Sequence, residues 1–161
     1  MHSPEDYDLL IKQLSAITSD EPNALANLAN ISAVLFDALD DTNWCGFYLL
    51  RDDTLVLGPF QGLTACTRIP MGKGVCGTAA ANRQVLRIAD VHEFEGHIAC
   101  DAASESEIVV PLTVGDEVIG VLDIDSPRKD RFSKTDENGL IEVGKLCNAV
   151  IANDTASIGL S

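Results

Sequence analysis

Glu107-Ile108-Val109-Val110-Pro111-Leu112-Thr113-Val114-Gly115-Asp116-Glu117-Val118-Ile119-Gly120-Val121-Leu122-Asp123-Ile124-Asp125 is the stretch that decides the fold. Two β-branched runs flank Gly115-Asp116, a pair suited to a tight hairpin turn. Side chains alternate across a strand, so the two faces of the second run can be separated. Val118, Gly120, Leu122 and Ile124 fall on one face; Ile119, Val121, Asp123 and Asp125 fall on the other. Two carboxylates therefore project from one side of an apolar strand. A strand emerging into solvent accounts for Asp125 better than for Asp123. Glu107 opens the first run and is expected near this pair across the hairpin. A carboxylate among apolar neighbours has a raised pKa unless paired, and can hold a proton.

Outward from the hairpin, the same period recurs toward the N-terminus. Trp44 to Leu50 and Leu55 to Gln61 read as strands joined at Asp52-Asp53, and Ala65 to Ile69 as a third. Met71-Gly72-Lys73-Gly74 leads into a short helix over Val75 to Ala81, followed by a strand at Val85 to Ile88. Asp90 to Ser104 has little periodicity, and long irregular segments in compact domains are usually functional or mobile. The ends are helical. Ser3, Pro4 and Asp6 open a helix with Tyr7, Leu10, Ile11, Leu14 and Ile17 on one face. A second starts near Asp20, with Leu25, Leu28, Ser32, Leu35, Phe36 and Leu39 aligned. It runs into Asp37, Asp40 and Asp41, the wrong charge for a helix C-terminus, which predicts a frayed end. Ser133 with Asp136 opens the last helix, its face Leu140, Val143, Cys147, Val150 and Ile151. The expected fold is α+β: an antiparallel sheet with the terminal helices on one face, and loops covering a pocket on the other.

The chain has 161 residues and no internal repeat or linker, so one domain over 1–161 is expected. Its net charge of −14 argues against nucleic acid or an anionic membrane as partner. No apolar run approaches the ~20 residues that span a bilayer. The N-terminus lacks a signal-peptide pattern, so the Asn30 and Asn153 glycosylation triplets read as chance and a cytoplasmic location is expected. Five cysteines cannot all pair within the chain.

Cys45 and Cys147 lie on apolar faces and read as buried, inert thiols. Cys66, Cys76 and Cys100 follow no apolar pattern. Cys76 falls in the first turn of a helix, where the helix field lowers a thiol pKa. Two chemistries fit these three. With His97 they could form a Cys₃His zinc site, although no C-x-x-C pair is present. Alternatively, one thiolate attacks a substrate and a second cysteine resolves the sulfenic acid to a disulfide. Trp44 and Tyr48 share the strand face opposite Cys45, Phe47 and Leu49, across Gly46, which suggests an aromatic-walled pocket. With the carboxylates, such a cavity suits a small cationic or zwitterionic ligand. Gly72-Lys73-Gly74 lacks the remainder of a phosphate-binding loop and reads as a turn.

Asn43-Trp44-Cys45-Gly46-Phe47-Tyr48-Leu49, Leu57-Gly58-Pro59-Phe60-Gln61-Gly62, Gly74-Val75-Cys76-Gly77, His97-Ile98-Ala99-Cys100-Asp101 and Gly120-Val121-Leu122-Asp123-Ile124-Asp125-Ser126 resemble the free methionine-(R)-sulfoxide reductase family of single GAF domains. The resemblance runs from about residue 20 to 150; Cys45 replaces an expected small residue. It implies that Cys100 is the catalytic cysteine and that Cys66 and Cys76 are the other redox cysteines, either of which could resolve Cys100. It implies that Trp44 and Tyr48 wall the methyl-sulfur end of the substrate. Glu107, Asp123 and Asp125 would hold the substrate and manage the sulfoxide proton. The implied partners are free methionine (R)-sulfoxide, a thioredoxin-type reductant and a second copy of the chain in a homodimer, with no metal or organic cofactor. His97 could lower the Cys100 pKa or be an ordinary loop residue, and residues 90–104 could act as a lid. The runner-up function is a ligand-binding or redox-sensing GAF module.

Overall fold

The computed structural model describes residues 2–98, 100 and 102–160. Ala99 and Asp101, within the His97–Asp101 motif, lie outside the described residues. The chain runs through α1 (Pro4–Thr18), α2 (Ala24–Ala38), β1 (Trp44–Arg51), β2 (Thr54–Gly62), β3 (Arg68–Pro70), α3 (Gly74–Asn82), β4 (Leu86–Ile88), β5 (Ser106–Val114), β6 (Glu117–Ser126) and α4 (Lys134–Asn153). Single 3₁₀ turns follow β4, at Val91–Glu93, and α4, at Ala156–Ile158. The strands form one sheet in the order β3-β2-β1-β6-β5-β4, every neighbouring pair antiparallel. This is the α+β arrangement expected, and β5–β6 is its longest pairing.

The terminal helices begin where their capping chemistry says. Ser3 with Asp6, and Ser133 with Asp136, form reciprocal capping boxes that satisfy two otherwise orphaned N–H groups each. α2 starts four residues later than the Asp20 signal, because Asn23, not Asp20, accepts from the Ala26 N–H. The buried face also differs from the expected one. Ala24, Asn27, Leu28, Ile31, Ser32 and Leu35 face inward, while Leu25 is 45% exposed. Ile17 likewise lies outside the α1 core face. The acidic end of α2 does not fray. Arg131 donates to the Asp40 carbonyl at 2.7 Å and Arg128 pairs with Asp41 at 3.0 Å, so the cations missing from the helix arrive from the segment after β6.

The sheet separates two apolar clusters. On one face Cys45, Phe47, Leu49, Ile108, Val110, Leu122 and Ile124 pack against α1, α2 and α4. On the other, Trp44, Tyr48, Leu55, Val109 and Val121 pack against α3 and the loops. The alternation read from β6 holds from Gly120 onward and inverts before it. A bulge between Leu112 and Thr113 offsets the pairing, so Ile119 joins the helix-side core and Val118 the opposite side.

Candidate active site

Three adjacent strands place the acidic groups. Glu107 on β5 pairs with Asp125 on β6, Val109 with Asp123, and on the other flank Trp44 and Gly46 of β1 pair with Asp125 and Asp123. Residues directly opposite across an antiparallel pair sit within side-chain contact. The side chains of Trp44, Glu107, Asp123 and Asp125 therefore meet on the face away from the terminal helices. They line one cavity with Tyr48, Cys76, His97, Ile98, Cys100 and Ser104. Among the described residues, no lysine or arginine lines it.

The carboxylates have little to offset their charge. Burial raises the Asp123 pKa well above the ordinary carboxylate value, and the neighbouring charges of Asp125 and Glu107 push in the same direction. Asp125 is raised by withdrawal from water and by Glu107. Ser104 donates to Asp125 Oδ2 at 3.2 Å. Oδ1 of Asp123, Oδ1 of Asp125 and Nε1 of Trp44 are buried without a hydrogen-bond partner among the described residues. Like charges held together in low dielectric oppose one another's ionisation, which favours the protonated forms of Asp123 and Asp125.

The aromatic wall is denser than the strand pattern suggests. Trp44 stacks on Tyr48 at 5.8 Å between ring centres and on Phe60 at 5.3 Å. The space beside Gly46 is filled by β2: a Cβ there would lie 2.8 Å from the Phe60 Cα and the Pro59 carbonyl. The Tyr48 hydroxyl donates to the Cys66 carbonyl at 2.9 Å and so ties the wall to the loop carrying that cysteine.

Cys66 and Cys100 form a disulfide with a Cα separation of 5.2 Å, inside the usual range for the bond. Cys76 is free and buried. Its Sγ and the carboxylate oxygens of Glu107 and Asp123 lie within 4.8 Å of one another, with 3.8 Å from Sγ to Glu107 Oε2. Although Cys76 does fall in the first turn of α3, its thiol pKa is not lowered. Burial, then Asp123 and Glu107, push it well above the ordinary value. The helix field is outweighed by lost hydration and nearby negative charge. The Cys₃His zinc arrangement is not what the fold builds, since two of its three thiols are joined to each other. Cys45 and Cys147 are buried in the helix-side core, with burial pushing Cys147 up to about 12. Ile98 and Ser104 also line the cavity and carry no periodic signal; the tertiary path of 90–104 brings them here, while Gly74 arrives at the start of α3.

Residues 23–151 match the GAF domain family, and the curled antiparallel sheet, with helices on one face and a lined cavity on the other, is that of a GAF domain. The free methionine-R-sulfoxide reductase of Escherichia coli (strain K12) is 57% identical over 152 residues, covering 94% of this chain and 92% of the relative. The fRMsr of Staphylococcus aureus, solved in complex with substrate, is 53% identical with a TM-score of 0.86, covering 91% of this chain and 95% of that one. The free methionine-R-sulfoxide reductase of Neisseria meningitidis, in complex with its substrate, is 42% identical with a TM-score of 0.91, covering 98% and 96%. The chain belongs to the free methionine-R-sulfoxide reductase family of GAF-domain proteins.

Proposed function

We propose that this protein reduces free methionine (R)-sulfoxide to methionine with Cys100 as nucleophile. The observation that carries the reading is the single cavity shared by Cys100, the Trp44–Tyr48 wall and the Glu107–Asp123–Asp125 cluster. The related reductases, two of them solved in complex with substrate, support it. A sulfoxide sulfur becomes electrophilic when its oxygen is protonated, and a carboxyl kept protonated by burial supplies that proton. Thiolate attack then passes the oxygen to Cys100 as a sulfenic acid and releases methionine. The Cys66 thiol attacks that sulfur, forming the Cys66–Cys100 bond and expelling water. A dithiol protein of the thioredoxin type returns both thiols, each cycle taking two electrons from it.

Cys66 is the resolving residue in this reading, because it lies within disulfide reach of Cys100 and Cys76 instead faces two carboxylates as a protonated thiol. The same acidic cluster would bind the substrate ammonium group. No helix among the described residues is long and apolar enough to cross a membrane. Dependence on a thioredoxin-type reductant favours the cytoplasm as site of action. One continuous six-stranded sheet supports a single domain over 1–161, and family resemblance supports a homodimer.

The test is incubation of reduced protein with the separate (R) and (S) sulfoxides of free methionine and with thioredoxin, measuring methionine. Turnover of the (R) form alone is expected, and absent from Cys100→Ser. No turnover, or full activity in that variant, overturns the proposal.

A further inference from the structure

The thiol of Cys76 has no step in the proposed chemistry, yet the fold buries it with two carboxyl groups. Cys76, Glu107 and Asp123 are 4%, 7% and 5% exposed, and they arrive on α3, β5 and β6. The Cys76 Sγ and one oxygen from each carboxylate lie within 4.8 Å of one another. Zinc bonds of ~2.3 Å to sulfur and ~2.0–2.2 Å to oxygen, at a tetrahedral angle, set sulfur and oxygen about 3.6 Å apart. Here Cys76 Sγ lies 3.8 Å from Glu107 Oε2. A separate observation points to a cation: Asp123 Oδ1 is buried with no hydrogen-bond partner among the described residues. No lysine or arginine among them lines the cavity to supply one. A buried acceptor left in this state is costly, and one thiol with two carboxyl groups is a donor set that a borderline-soft metal satisfies. The other grouping of this kind among the described residues, Asp90, His92 and Glu105, is partly exposed and carries no sulfur. Lys129 already pairs with its Asp90 at 3.2 Å.

We propose that Cys76, Glu107 and Asp123 form an inhibitory site for a thiophilic divalent cation of the zinc and cadmium class. The Cys76 thiol gives its proton to solvent as the metal–sulfur bond forms, and both carboxyl groups bind as carboxylates. The Cys66–Cys100 disulfide uses none of the three ligands, so the site is present in the oxidised protein as well. The ion is an inhibitor and takes no part in turnover. Its inhibitory effect rests on the sulfoxide-reductase reading: the metal occupies carboxylates that would otherwise hold the substrate ammonium and supply the sulfoxide proton. Binding of the ion does not depend on that reading.

The experiment titrates oxidised, reductant-free protein with cadmium chloride and follows the ultraviolet charge-transfer band of a cadmium–thiolate bond. Wild type should take up a single equivalent per chain with that band. Cys76→Ser should lose the band, and Asp123→Asn should weaken the affinity roughly tenfold or more. A readout that needs no variant is N-ethylmaleimide labelling of Cys76 in wild type, mapped by mass spectrometry, which cadmium should slow. No band in wild type, a band that persists in Cys76→Ser, unchanged affinity in Asp123→Asn, or labelling indifferent to cadmium overturns the site. Cadmium uptake without the band, abolished by His92→Ala, assigns the ion to the Asp90–His92–Glu105 group and overturns it equally. Inhibition is tested in the Cys66→Ser/Cys100→Ser double variant, which cannot consume substrate. Free methionine (R)-sulfoxide should raise its apparent Kd for cadmium in proportion to sulfoxide concentration. A Kd indifferent to sulfoxide overturns the inhibitory role and the placement of the ammonium at these carboxylates, while the cadmium band still decides the metal site.

Discussion

Cys66, Cys76 and Cys100 look alike in the sequence, and their surroundings separate them. Cys100 and Cys66 are within bonding reach, whereas Cys76 is sunk among carboxylates. In single-turnover assays without reductant, reduced Cys66→Ser should release methionine once per chain and then fail to cycle with thioredoxin. Cys76→Ser, which keeps a hydroxyl beside Glu107, should still form the Cys66–Cys100 bond; mass spectrometry of the product state checks this. Asp123 was legible as an anomaly in an apolar strand, and its burial raises its pKa. With Asp123 as the proton donor of the proposed mechanism, Asp123→Asn should lower kcat/KM by about 10²-fold or more, the usual scale for a lost general acid, measured on the free sulfoxide. Ser104 was not legible, since nothing in an aperiodic loop marks a serine that reaches a carboxylate on another element.

At the element scale, α1 and α4 are fastened by one buried polar knot. The Tyr7 hydroxyl donates to Asp136 Oδ1 at 2.6 Å, Arg131 bonds Oδ2 at 3.1 Å, and Ser133 N–H also donates to Oδ2. Burial works to raise the Asp136 pKa. The Ser133, Tyr7 and Arg131 bonds outweigh it and hold the carboxyl below the ordinary range. The stabilisation is therefore present above the unfolded-state pKa near ~4 and is lost as pH falls through the lower folded value. Asp136→Asn should cost about 3–5 kcal/mol at neutral pH, the scale for removing one partner of a buried pair. Urea denaturation should show that cost shrinking below about pH 4. The capping box predicts the helix start, but not that its aspartate also anchors a distant tyrosine and arginine. Gly46 is a second case: the sequence shows a gap between aromatics, and the fold fills it with β2 backbone. Gly46→Ala should cost about 1–3 kcal/mol by overpacking, read from the denaturation midpoint.

Across the whole molecule, the sheet acts as a partition. Its helix side is an apolar core that holds two inert thiols, and its other side collects almost all the unusual chemistry. Period-two alternation was enough to assign β1 and the distal half of β6 to these sides, and to put Trp44 with Tyr48 and Asp123 with Asp125, because strand geometry leaves no third choice. Local capping rules were enough to start α1 and α4. The sequence by itself determined those strand faces, those helix starts, the α+β class and the family. Tertiary structure alone decided the rest. Bulges shifted register and moved Ile119 to the core. Arginines from beyond β6 closed the acidic end of α2. A thiol at a helix start became a poor thiolate because the fold buried it and distant strands brought carboxylates to it. Cysteines 34 residues apart became partners because two loops meet over one cavity. Alternation and capping act over a few residues and can be read locally; pairing across a cavity depends on where the whole chain closes.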